Sequence, residues 1–324
     1  MRLVFCGSSP PLERKYSPIF RKSCYCRTYG NGIIPPMWSI YLSVAIQGVL
    51  TGLVYGLMAL GLSVIFGVVR VVNFAHGEFA VVAMYATYVL FTAFRLDPLL
   101  ALVPVAALFF LVGYALQTAL INPFVGRPEH EQFILLVGVG IIIVNVLLIG
   151  FGPDARPVNL SYGFDSYEIG PLLVDKPRVL AAAAAIAVAA ALFWFFRHTR
   201  TGAAIRACAD NLVGAGVIGL NIKRLYALTF GLGLACVGAA GALLVTIADP
   251  APALGPAYTL LAFVIVIIGG MGSMAGALVG GVLIGVSEAL AGFLFAPSMK
   301  SMFSFALLIA VLVLRPQGLM GQRT

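Results

Sequence analysis

The chain is poor in charge. Only 10% of its 324 residues are Asp, Glu, Lys or Arg, against 61% hydrophobic, and the mean hydropathy is +1.04. A soluble domain carries about a quarter charged and about half apolar residues, so that class is excluded and an all-α polytopic membrane protein is expected. Histidine is scarce too, with three in the chain. His76-Gly77-Glu78 has the His-x-Glu wording of zinc deaminases, but the Pro-Cys-x-x-Cys partner is missing, as is the His-Glu-x-x-His of metalloproteases. Metal catalysis is thereby excluded. No Gly-Lys dipeptide occurs, so there is no Walker A loop to cradle nucleotide phosphates. No cofactor is expected on this chain, and any ATP-driven work must come from separate subunits. The net charge of +8 is spread between apolar runs and forms no nucleic-acid stripe.

Residues 1–36 differ from the rest. They hold six of the 20 Lys and Arg and three of the five Cys, and contain no apolar run fit for a signal peptide. Cys6, Cys24 and Cys26 lack the spacing of a zinc site and a fourth ligand. Met37-Trp38 opens directly onto the first apolar run, so this basic lead is expected to be disordered or to precede the true start.

From residue 37 to 318 the composition is that of a transmembrane permease domain, with 319–324 a short tail. About 20 apolar residues cross a bilayer core. Runs of that kind occur at 40–69, which is long enough for a break or tilt, then to 94, 99–121, 132–151, 179–196, 225–248, 257–268, 273–295 and up to 314. Nine spans result, within a range of about 8–10, and discontinuous helices are expected in each half. With 199–224 placed in the cytoplasm, nine basic residues between spans fall inside and five outside, which follows the positive-inside rule. Met37 then lies outside and the carboxyl terminus inside. The six basic residues before Met37 run against this orientation.

Ionisable groups within spans mark candidate sites. Asn73, His76 and Glu78 interrupt an apolar run, as the break of a discontinuous helix facing a polar substrate or as an ordinary turn capped by Asn73. A second interruption is Gly269-Gly270-Met271-Gly272-Ser273. So many glycines suit either a tight turn or a backbone-lined passage. Gly276 and Gly280, and again Gly281 and Gly285, are four residues apart, the spacing for close helix packing. Glu288 is a lone acid in the following span, lining the path or pairing helices. The substrate pathway is assigned to Asn73, His76, Glu78, Gly269, Gly270, Gly272, Ser273 and Glu288.

The polar island Thr199–Arg224 reads as two short helices, 202–209 and 212–218, with Asp210 or Asn211 as the cap between them and Gly219 as terminator. Leu212, Ala215 and Gly219 recur at helical spacing and would present a small apolar face to another protein's groove. Arg200, Arg206, Lys223 and Arg224 would rim that contact or touch anionic lipid.

GLVYGLMALGLSVIFGVVRVVNFAHGEF (52–79), TGAAIRACADNLVGAGVIGLN (201–221), ALTFGLGLACVGAAGALL (227–244) and FVIVIIGGMGSMAGALVGGVLIG (263–285) resemble the LivH-type permeases of bacterial branched-chain amino acid ABC importers. The resemblance covers essentially all of 38–318. It implies a multi-pass subunit in the bacterial inner membrane, a related second permease, two ATPase subunits docked on the cytoplasmic loop, and an extracytoplasmic substrate-binding protein. ATP would be used by those partners. The family's coupling motif, Glu-Ala-Ala followed by Gly, is matched here by Ala207, Ala209, Ala215 and Gly219 without the leading Glu, and Arg206, Leu212, Ala215 and Gly219 are assigned to ATPase coupling. Urea, amides or other amino acids are alternative substrates within the family. An ion-coupled secondary transporter is the alternative outside it.

Overall fold

A computed structural model describes residues 37–321 apart from 126, 164, 170 and 171; the side chains of Met37, Glu129, Glu168 and Ile169 are also outside the description. The basic lead 1–36 and the end of the tail, 322–324, therefore lie outside the described residues. Among the described residues eleven α-helices follow in order: α1 (Met37–Val69), α2 (His76–Phe94), α3 (Pro98–Leu116), α4 (Glu129–Phe151), α5 (Lys176–His198), α6 (Arg200–Asp210), α7 (Leu212–Val217), α8 (Ile222–Leu244), α9 (Leu254–Gly269), α10 (Met274–Leu294) and α11 (Lys300–Leu314). Two short antiparallel strands, β1 (Ser166–Ile169) and β2 (Leu172–Asp175), pair Tyr167 with Val174 in the loop before α5. Among the described residues, eight helices are long and apolar enough to cross a membrane, and α9 is a shorter apolar helix. The nine expected spans are these eight and α9.

The first apolar run is one unbroken helix of 33 residues. Its length comes from an uninterrupted apolar sequence without proline. Its glycines serve packing: a Cβ on Gly52 would meet the Gly281 carbonyl oxygen at 2.6 Å, and one on Gly48 would meet that of Gly285 at 2.8 Å. Lipid offers no hydrophobic drive for helices to associate, so such backbone approach is how α1 and α10 gain contact. The four-residue glycine spacing in α10 is thus used on two sides, Gly281 and Gly285 against α1, and Gly276 and Gly280 against α9. α1, α2 and α8 form the buried centre, whereas α4 and α11 are mostly exposed along their lengths.

These contacts fix depth along α1. Near one end Gln47 accepts a hydrogen bond from Arg178 (2.7 Å), beside the β-hairpin. Near the other, Gly67 lies against Gly272 in the turn before α10. Met58 is 11 residues from the first marker and 9 from the second. At 1.5 Å per residue it lies about 16 and about 14 Å from them, midway through a bilayer core of about 30 Å.

Candidate functional site

After α1 the chain turns at Arg70, whose φ of 57° ends the helix, and residues 70–75 climb back along α1. Asn73 closes a local turn by accepting the Ala75 amide at 3.1 Å, and α2 then begins at His76. The His76 Nε2 donates to the Met58 carbonyl at 2.9 Å. That bond places the amino terminus of α2 at mid-depth, and α2 runs from there toward the hairpin end. Asn73 and His76 are fully buried, and Glu78 is 6% exposed. The interruption at 73–78 is therefore inside the bundle.

A second helix starts at the same depth. α8 runs through the bundle to the hairpin end, where the Pro250 carbonyl accepts from the Arg156 amide (3.0 Å) and the Tyr85 hydroxyl (3.3 Å), and Pro250 and Pro252, lacking amides, keep the chain from continuing as helix. Residues 245–253 loop inward, and α9 starts with its first turns against α2. The Gly77 amide donates to the Thr259 hydroxyl at 2.8 Å, and that hydroxyl donates to Glu78 Oε2 at 2.7 Å. Gly255 of α9 and Gly140 of α4 flank the Glu78 side chain. Two helix amino termini, one running outward and one running inward, thus meet at mid-depth around a carboxyl group. Negative charge is favoured at a helix amino terminus, which offsets part of the roughly 2.5–3.5 kcal/mol cost of an acid at this depth.

The junction carries further polarity at a cost. Asn73 Nδ2 and His76 Nδ1 are buried and have no hydrogen-bond partner among the described residues. Each such group costs about 1–3 kcal/mol. Groups retained against that cost at mid-depth make the junction the candidate site.

Gly269, Gly270, Gly272 and Ser273 lie elsewhere. Thr259 and Gly269 are ten residues apart on α9, about 15 Å at helical rise, and the glycine run forms the α9–α10 turn at the end opposite the hairpin. Ser273 caps α10 by accepting the Gly276 amide at 3.1 Å. The glycines seat the carboxyl-terminal segment. Leu319 and Met320 donate their amides to the carbonyls of Ile268 (2.8 Å) and Gly269 (3.0 Å), the unpaired acceptors at the end of α9. Gly270 has φ of +101°, and a Cβ there would meet the Gly321 amide nitrogen at 2.5 Å. The element of the second half that meets the Glu78 region is thus the start of α9, and the glycine run is a turn. Gly270→Val is expected to cost about 3 kcal/mol through backbone strain and steric clash. Loss of hydrogen-exchange protection at Leu319 and Met320 would report it, and wild-type protection would contradict this seat.

Comparison with known proteins decides the family. Residues 44–312 match the family described as "Branched-chain amino acid transport system / permease component". The chain is 30% identical over 297 residues to the high-affinity branched-chain amino acid transport system permease protein BraD of Pseudomonas aeruginosa, covering 87% of this chain and 96% of that one. It is 30% identical over 298 residues to the LivH permease protein of Escherichia coli K12, with the same coverages. No solved structure matches it. The chain belongs to this permease family.

In the permease, Glu288 is not hydrogen-bonded to the Glu78–Thr259 pair. It lies just beyond Gly285, the residue packed on Gly48, and accepts a hydrogen bond from Ser304 of α11 at 3.1 Å. It pairs α10 with α11 toward the hairpin end. The polar island folds as two short helices, α6 and α7. Thr199, Asn211 and Asn221 cap α6, α7 and α8 by accepting the amides of Gly202, Gly214 and Arg224. Gly219 terminates the island with φ of +83°.

One assignment on the island is corrected. Ala215 is 3% exposed and faces the bundle, so it is not on the docking face. The exposed apolar residues are Val213 (78%), Val217 (83%) and Ile218 (72%), with Leu212 partly exposed beside them. Val213 and Val217 are four residues apart and share one side of α7. Arg206 is exposed on α6. On the inner face of α6, Ile205 and Cys208 are buried, and burial pushes the Cys208 thiol up. A membrane-impermeant maleimide is expected to label Cys208 at least about 100-fold more slowly than a Val213→Cys thiol at pH 7, since the thiolate is the nucleophile and access is blocked. Equal rates would contradict the packing of α6.

Proposed function

We propose that this permease is the membrane subunit of an ABC importer for branched-chain amino acids in the bacterial inner membrane. The observation that carries the reading is the mid-depth meeting of α2 and α9, with polar groups held where a substrate crosses. Membership of a family described by branched-chain amino acid transport supports the substrate class. The polar island faces the cytoplasm, and the hairpin end faces outward. Two ATPase subunits dock on the Val213, Val217 and Ile218 face of α7, and ATP is bound and used by them alone. A second, related permease completes the passage, and an extracytoplasmic binding protein delivers substrate at the hairpin end. Closure of the ATPases moves the island, which packs on α1 and α8, and the motion reaches the junction through those two central helices. Access then alternates: α2 lines the outward half and α9 the inward half.

Reconstitution with candidate ATPases and binding protein tests the reading. Leucine uptake is expected to require ATP and to exceed uptake of urea and ribose. Uptake that persists without ATP would contradict it and favour an ion-coupled carrier.

A further inference from the structure

We propose that the Glu78 carboxylate receives the substrate's ammonium group, taking the place of the Thr259 hydroxyl that holds it in this state. The proposal rests on the import reading above and names the chemistry of its central site. Among the described residues the ion pairs are Arg127–Glu131, Lys176–Asp165 and Arg178–Asp175, so Glu78 has no cationic partner there. Its hydrogen bond comes from a neutral hydroxyl, at 2.7 Å. His76 is two residues away, but its Nε2 is committed to the Met58 carbonyl.

Backbone closely surrounds the Glu78 side chain. A Cβ on Gly140 would lie 3.6 Å from the Glu78 Cδ, and one on Gly255 would lie 3.0 Å from its Cγ. At these two positions α4 and α9 present backbone to Glu78, so that Thr259 is the α9 side chain hydrogen-bonded to it. A zwitterionic amino acid with an apolar side chain carries a compact cationic group that matches a carboxylate far better than a hydroxyl does, since charge-assisted hydrogen bonds are roughly twice as strong as neutral ones. Thr259 bridges the two helix starts, accepting from Gly77 of α2 while donating to Glu78. Substrate arriving at Glu78 would break that bridge. Binding would thus loosen the contact between the outward and inward halves at the moment the path is filled.

The test uses the reconstituted complex of permeases, ATPases and binding protein, with leucine as probe and uptake scored per assembled complex. Glu78→Gln keeps an acceptor for Thr259 but removes the charge, and uptake is expected to fall at least about 100-fold, the loss typical of removing a partner from a charged hydrogen bond. Glu78→Asp keeps the charge and should recover part of that loss; if Glu78→Gln does not assemble, Glu78→Asp decides, with a fall of about 10-fold expected. Thr259→Val removes the competing hydroxyl and should lose less than about 10-fold. Wild-type uptake in Glu78→Gln, or in Glu78→Asp where that variant decides, would overturn the proposal. So would a Thr259→Val loss as large as that of Glu78→Gln, because the pair would then be a structural latch and nothing more. Absence of ATP-driven leucine uptake in the wild-type complex would instead overturn the import reading.

Discussion

Gly77→Ala is expected to abolish uptake. A Cβ at this position would meet the Thr259 amide nitrogen and the Gly255 carbonyl oxygen, both backbone atoms of α9. Backbone cannot rotate aside as a long side chain can, so α2 and α9 must separate. Overpacking of a well-packed core costs about 1–3 kcal/mol and occasionally more, and with two backbone atoms in the way the upper end is expected here. Separation would also stretch the bond from the Gly77 amide to Thr259, and with it the hydroxyl's hold on Glu78. Uptake should fall at least about 100-fold, while the complex still forms, because α1 packs on α8 and on α10 without Gly77. Gly140→Ala is the matched control: its Cβ would sit at ordinary contact distance from Glu78 and Ala75, and uptake should stay within a few-fold. Normal uptake in Gly77→Ala would mean the junction is not on the path.

The second large effect concerns the island. Val213→Asp/Val217→Asp places two charges on the exposed side of α7, where Val213 and Val217 are 78% and 83% exposed. The isolated permease should tolerate both, since surface substitutions usually change stability by less than about 0.5 kcal/mol. In the complex, charges buried without partners at an interface centre should lower substrate-stimulated ATP hydrolysis at least about 30-fold, equivalent to losing a hot spot of about 2 kcal/mol. Ala215→Asp differs in kind. It buries a carboxylate against the bundle and should destabilise the island itself, so lost activity there would not report docking. Stimulated hydrolysis at the wild-type level in the double variant would place the contact elsewhere.

The spans were legible because about 20 apolar residues in succession have few other uses, and the island's helix ends because they carried a cap at Asn211 and a terminator at Gly219. The motif Asn73–Glu78 stood out as polarity inside an apolar run, and the structure brings its three polar members to mid-depth. Its partners were hidden for a physical reason. Thr259 and Gly255 are uncharged and sit in a run that reads as one more apolar span, and what makes them notable is the neighbour across from them. The break between the spans 225–248 and 257–268 was legible at Asp249-Pro250-Ala251-Pro252, but not that the helix after it starts against α2. Glycine density at 269–273 could not distinguish a turn from a passage, because the chain that fills the seat, 318–321, lies about 50 residues further on. Helical spacing grouped Leu212, Ala215 and Gly219, but α7 has only six residues, and the packing of α6 and α8 decides which side is covered.

The most direct test of the central claim is the accessibility of a thiol at position 140, beside Glu78. Gly140→Cys fits without clash, and all five native cysteines, Cys6, Cys24, Cys26, Cys208 and Cys236, are replaced by alanine. Reaction with a small membrane-impermeant thiol reagent would be measured from each side of the bilayer, in the nucleotide-free complex and in an ATP-locked one, with and without leucine. The α2–α9 junction as the alternating-access site predicts that the reactive side switches with nucleotide and that leucine slows the reaction. A thiol that reacts at the same rate from the same side in both states, indifferent to leucine, would contradict it.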